Sequence, residues 1–364
     1  MRELTQQDAV DAAVGGGFFA AGGGGWAHHG ALMGSLATTV GTPVLATVDE
    51  LPADSWVATV TAIGAPAAPH WEIRPLDYVA ALRRLSEATE HPIAAVMTAQ
   101  NGYSTSLNGW IQSAVTGVKV LDAAGDVRAH PTGKLGSLGL TTRPGYETVQ
   151  VVAGGNRERH GYFEAVLRGT VMTCDDVLRD ISVRTGGFIA AARNPVELDW
   201  VRDSAALGSI SLAIELGRDI RGARPDGARA VIEAICNRVG GKIVVEGPLR
   251  FTVPLRTEGG FDHGTVGLGS GGAEVTVPFL NEFMAVDGSG ERLASYPDTI
   301  ALLSLDTGLP LAVQDLADGM PAAAVVAPAA GLPCSASARD EPALREVERI
   351  MGLELVRYLD GAAA

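Results

Sequence analysis

Cysteine is scarce in this chain, and what there is stands apart. Cys174, Cys236 and Cys334 form no CxxC pair, which argues against a disulfide framework and a cysteine-rich zinc site and fits a reducing cytoplasm. Lysine occurs only at 119, 134 and 242, and the formal net charge is −14 with no basic run to offset it. Such a balance opposes non-specific binding to nucleic acid or to an anionic membrane. No apolar run approaches the roughly 20 residues of a membrane-spanning helix. The N-terminal Met1 to Gln7 is polar and leads into an amphipathic pattern, without the basic and apolar regions of a signal peptide. A cytoplasmic protein is therefore expected. The GxGxxG fingerprint, the P-loop, GxSxG and HExxH are all missing, so no nucleotide cofactor is expected and the common hydrolase motifs are excluded.

Glycine is abundant, with 46 residues, and 46% of the chain is hydrophobic at a mean hydropathy of +0.17. These values describe a folded chain with many tight turns, and 364 residues suggest two domains. Over residues 1 to 165, helix and strand signals alternate. A capped helix from Thr5 to Val14 leads to a strand at Phe18. Beyond the glycines come a helix from Ala27 to Val40 and strands at Pro43 to Thr47 and Trp56 to Ile63. The helix Asp77 to Thr89 carries its apolar residues on one face, and Ile93 to Thr98, Ser106 to Thr116 and Val118 to Leu121 complete the alternation. This order predicts an α/β domain of three layers (α/β/α) with a mostly parallel sheet. Residues 166 to 364 change character. Between Lys242 and Val326 short strands alternate with glycine clusters, predicting a β-rich barrel or sandwich-like domain with flanking helices.

Four apolar stretches in the first 140 residues each end in a glycine-rich or polar cluster: Gly22 to Gly25 with His28 and His29, Gly64-Ala65-Pro66, Gln100-Asn101-Gly102, and Asp122 through Asp126 and Arg128 to His130. Ligands bind outside the carboxyl ends of strands in open α/β sheets, so these clusters predict one site built from distant segments. The backbone amides of Gly23, Gly24 and Gly25 suit an anion or oxyanion. Adjacent helical side chains diverge by about 100°, so His28 and His29 do not both easily ligate one metal. Asn101 reads equally as a turn residue or as a ligand for a substrate carbonyl. Arg128 reads as a partner of Asp122 or Asp126, or as a clamp on an anionic or imide-like ligand. Cys174 reads as a structural thiol. Glu282, between apolar neighbours in a strand, needs a partner.

Taken together, these segments resemble the S-methyl thiohydantoin desulfurase-like family. The resemblance runs from Thr5 to about Leu359. It rests on the order of Ala21 to Gly25, Asp49-Glu50-Leu51-Pro52, Gly64-Ala65-Pro66, Asp122 with Arg128-Ala129-His130-Pro131, Gly240-Gly241-Lys242, Gly260-Phe261-x-x-Gly264, Phe279-Leu280-Asn281-Glu282 and Pro297-Asp298. It implies an α/β domain followed by a β-rich one, and hydrolytic loss of methanethiol from an S-methylated thiohydantoin to leave a hydantoin. Genes of this family often lie near those of hydantoinases or oxoprolinases, which implies a hydantoinase-like partner. Many members carry Asp-Pro after the glycines, Glu-x-Gly-Gly after the middle strand and Asp-x-Asp before the arginine. This chain has Trp26-Ala27-His28-His29, Gln100-Asn101-Gly102 and Asp122-x-Ala124 there, so carboxylates give way to neutral groups and histidines appear.

The resulting expectation is a hydrolase for a small cyclic amide, imide or thiohydantoin-like ring. In it a divalent metal such as zinc, held by some of His28, His29, Asp122 and His130, activates water. Asn101, Arg128 and the glycine amides then steady negative charge, and Gln100 and Glu282 line the substrate. A metal-free alternative makes His130 the general base, paired with Asp122 or Asp126. A non-catalytic ligand-binding subunit is the third reading. A homo-oligomer is expected on general grounds.

Overall fold

Strand-forming runs that are apolar on both faces need cover on both sides, and the first half of the chain is built that way. The computed structural model describes residues 1–270 and 273–359. In chain order it begins with β1 (Arg2–Glu3), α1 (Gln6–Phe19), α2 (Ala27–Val40), β2 (Val44–Ala46), β3 (Trp56–Gly64), α3 (Pro75–Ala88), β4 (Ile93–Thr98), α4 (Trp110–Thr116) and β5 (Lys119–Ala124). Strands β2, β5, β4 and β3 lie side by side and parallel. Next come β6 (Thr148–Gly154), β7 (Phe163–Gly169), α5 (Val171–Arg184), β8 (Phe188–Glu197), α6 (Leu198–Ser204) and β9 (Ala206–Leu207). They extend the sheet with antiparallel neighbours to the order β1-β2-β5-β4-β3-β8-β6-β7, with β9 on β5. The parallel character thus belongs to the β2-β5-β4-β3 half, and the sheet as a whole is mixed.

Helices cover both faces. Leu82 and Leu85 of α3 pack on Val60, Val96 and Val151, while Leu178 of α5 and Leu198 and Val201 of α6 pack against the other side. The change of character at residue 165 separates two stretches of sequence but not two sheets, because β7 ends and β8 and β9 follow beyond it in the first sheet.

The strand expected at Phe18 is instead the last turn of α1. The three glycines at its end allow close approach: at Gly15 α1 crosses α7 (Ser209–Ala223) at backbone contact, while Gly16 and Gly17 lie against Gly102 and Tyr103. A Cβ on Gly15 would lie 2.0 Å from the Ala213 carbonyl oxygen.

After α7 and α8 (Ala228–Val239) the second sheet is antiparallel throughout. Its strands are β10 (Lys242–Glu258), β11 (Phe261–Ser270), β12 (Ala273–Leu280), β13 (Glu282–Phe283), β14 (Ala285–Gly288), β15 (Glu291–Ser295), β16 (Thr299–Ser304) and β17 (Pro321–Ala327). They run in the order β15-β14-β12-β11-β10-β17-β16 with β13 on β12. Irregularities in register bend the long β10, which pairs with β17 over its first half and β11 over its second. The sheet curls into a half-barrel around Val266, Val277, Phe279 and Leu302. Helix α9 (Glu341–Met351) closes over Leu280, Met284 and Tyr296. No helix among the described residues is long and apolar enough to cross a membrane.

Candidate functional site

The ends of β3 and β4, the loop after β5 and one turn of the second domain enclose a cleft with a free volume of about 50 Å³. At roughly 10–15 Å³ per ordered water this is room for a few small polar groups. Its walls bring together Gly24, Gly25, Gln100, His130, Arg179, Arg193 and Glu282.

Glu282 reaches the cleft because Asn281 takes a left-handed conformation, φ 57°, and turns the chain from β12 into β13. The Asn281 side chain accepts the Asp262 N–H at 2.8 Å to hold that turn. The neighbouring Phe283 N–H donates to the Ala21 carbonyl at 2.7 Å, which fastens the turn to the glycine loop. A Cβ on Gly23 would lie 2.1 Å from Glu282 Oε1, so any side chain there would displace the Glu282 carboxyl. Glu282 is buried, and its Oε2 has no hydrogen-bond partner. Burial pushes its carboxyl up to about 8, against the pull of Arg128, Arg179 and the Gly24 amide.

His130 is fixed by backbone and amide contacts. Its N–H donates to Gln100 Oε1 at 3.1 Å, its Nε2 lies 3.3 Å from the Ala99 carbonyl, and its Nδ1 has no partner. Burial, aided by Arg193 and Arg128, holds the imidazole down at about 4, so it is neutral at pH 7.

Two arginines complete the wall. Arg193, buried in β8, donates from Nη1 to Asp175 at 2.8 Å and leaves its Nε unpartnered. Thr132 donates to the other Asp175 oxygen at 2.9 Å. Arg179 donates to the Pro131 and Gly260 carbonyls, each at 2.9 Å, and lies 4.0 Å over the Phe261 ring. Sequence reasoning passed over both. Arg193 was detectable as a charged residue closing the apolar run from Phe188 to Ala192, whereas nothing local marks Arg179.

Gln100, His130, the glycines and Glu282 thus converge as expected, and the other expected residues lie elsewhere. Asp122 caps α7: its carboxylate accepts the Ile210 and Ser211 N–H groups at 3.0 and 2.9 Å and the Ser211 hydroxyl at 2.6 Å. Asn101 is buried between the Ser209 carbonyl and the Ser106 hydroxyl, each at 3.0 Å. Arg128 is consumed by three carbonyls, those of Ala129, Asp298 and Phe283, at 2.8, 2.7 and 3.0 Å. Asp126 accepts from the Tyr296 hydroxyl at 3.2 Å and its own Val127 amide, and burial lifts it to about 7. It is not a partner of His130, and neither is Asp122.

His28 is exposed, and His29 is buried beside Trp26, Trp71 and Tyr78, where burial holds it at about 4. The four expected metal donors therefore do not converge. Among the described residues, no group of three or more His, Cys, Asp and Glu side chains is placed to hold a metal. Cys174 is a buried thiol raised by burial and by Asp175, in keeping with a structural role.

No curated protein matches this chain. Among solved structures, a protein from Chromobacterium violaceum aligns over 97% of each chain with a TM-score of 0.71 at 20% identity, a likeness of fold. Residues 7–157 match the model of the S-Me-THD-like N-terminal domain and residues 169–347 that of the C-terminal domain. With both modules present in order over nearly its whole length, the chain belongs to the S-Me-THD-like family.

Proposed function

We propose that the protein is a hydrolase that releases methanethiol from a small S-methylated thiohydantoin-like ring, with Glu282 moving the proton. The observation that carries this reading is the Glu282 carboxyl: buried in the cleft, free at Oε2 and raised to about 8. A carboxyl raised close to neutral pH suits both halves of the reaction, taking a proton and returning it.

Ionised Glu282 takes a proton from water as its oxygen bonds to the ring carbon bearing sulfur. Negative charge then develops on the ring nitrogen, facing the positive potential of Arg179 and Arg193. The C–S bond breaks, Glu282 returns its proton to the leaving methanethiolate, and the remaining water proton passes to the ring nitrogen. The ring keeps the oxygen as a carbonyl. Gln100 and His130 bound the reacting edge of the ring, His130 as a neutral group. Since His28, His29 and Asp122 lie away from His130, no step runs through a metal.

The test is thiol release from an S-methyl thiohydantoin, followed with a chromogenic thiol reagent. Glu282→Gln should lower kcat at least about a hundredfold. Wild-type rates in the variant would overturn the assignment, and ring opening without thiol release would replace the reaction by cyclic-amide hydrolysis.

A further inference from the structure

The two ends of the first sheet are finished differently. At one end β1 has two residues, a short and blunt edge. At the other, β7 runs seven residues, Phe163–Gly169, in unbroken register with β6, and among the described residues no strand lies on its outer side. Phe163 and Val166 on it are 40% and 48% exposed. It has no proline, bulge or lysine, and of the devices that keep sheet edges from pairing it carries only the two charges Glu164 and Arg168.

The side chains of β7 divide cleanly. Ala165 and Leu167 pack toward α5. On the opposite face Glu164 accepts from Arg84 of α3 at 2.9 Å and Arg168 donates to the Ala88 carbonyl. We propose that β7 is a homodimer interface, pairing antiparallel with β7 of a second copy about a two-fold axis through Val166.

The register follows from symmetry and charge. A two-fold axis perpendicular to a continuous sheet keeps each residue on its own face, so 164, 166 and 168 meet only one another. Centring on Ala165 sets Glu164 opposite Val166, and centring on Leu167 sets Val166 opposite Arg168. Only the axis through Val166 places Glu164 of each copy opposite Arg168 of the other, two ion pairs flanking a valine pair. Opposite charges directly across strands stabilise pairing, and like charges there oppose it. The occupant of this edge is thus a second copy of the chain, which is complementary to itself in that register alone.

Sedimentation of the full chain at micromolar concentrations tests the pairing. A dimer is expected. Glu164→Arg or Arg168→Glu alone should weaken it at least about tenfold by turning both pairs repulsive, and the two together should restore it. In a Cys334→Ser background, which removes the exposed native thiol, Val166→Cys should oxidise to a covalent dimer, because facing Cα atoms at about 4.5–5.5 Å satisfy disulfide geometry. A wild-type monomer, a dimer indifferent to both charge reversals, or Val166→Cys remaining reduced within a dimer would each overturn the proposal.

Discussion

A carboxyl buried with one oxygen unpartnered costs the fold free energy whenever it must ionise, and Glu282 is in that position. Its ordinary value of 4.5 rises to about 8 in the folded protein, so between those pH values the native state holds a proton that the unfolded chain has released. Its contribution to stability is whole below about pH 4.5, falls as pH rises to about 8 and is flat beyond. Glu282→Gln removes that fall. In urea titrations the variant should gain on wild type from pH 5 to pH 9 by up to ~4 kcal/mol, with Asp126 and His130, present in both proteins, cancelling. A difference that stays constant across this range would mean that Glu282 titrates as a free carboxylate. Glu282 was legible in sequence because a carboxylate set among Phe279, Leu280, Phe283 and Met284 demands explanation. Asp122, Asn101 and Arg128 misled because a polar side chain that caps a helix or ties loops carries the same local signature as one that faces a ligand. What separates them is the partner, and here the partners lie 88, 108 and 170 residues away.

At the scale of elements, the strands β3, β4 and β5 and the helices α2 and α3 were readable from period and punctuation, since each is decided by its own pattern of apolar residues. The end of α1 was not. Gly15-Gly16-Gly17 looks like a break, but α1 continues through it, and the absence of side chains lets α7 approach Gly15, and Gly102 and Tyr103 approach Gly16 and Gly17, at close range. In the interior of an ordinary helix, replacing glycine by alanine stabilises by roughly 1 kcal/mol. At Gly15 the sign should reverse. The new methyl would meet the Ala213 oxygen at 2.0 Å and the Gly217 nitrogen at 2.6 Å, and neither backbone atom can swing aside. Gly15→Ala should therefore destabilise by about 1–3 kcal/mol, measured as a lower urea midpoint. Neutral or stabilising behaviour would show that the two helices separate freely.

For the whole molecule, the cleft exists only while the two sheets hold a fixed relation, because Gln100 and His130 come from one and Glu282 from the other. Arg128 is central to that relation. Fully buried, it donates from the loop after β5 to the carbonyls of Phe283 and Asp298 and sits 4.9 Å over the Tyr296 ring. It also helps to hold the Glu282 carboxyl down, so it couples the assembly of the two domains to the chemistry at their junction. Lysine keeps the charge but cannot spread donors over the Ala129, Phe283 and Asp298 carbonyls as a planar fork does. Arg128→Lys should lose at least about 3 kcal/mol through the carbonyls left bare. Because the replacement ammonium no longer sits on the Phe283 carbonyl, the rise of activity with Glu282 ionisation should also move to higher pH. Calorimetry and a pH profile of kcat/KM on the same preparation separate the two effects. A variant that melts with wild type but shifts its profile would confine Arg128 to electrostatics, and one that melts early with an unshifted profile would confine it to the join.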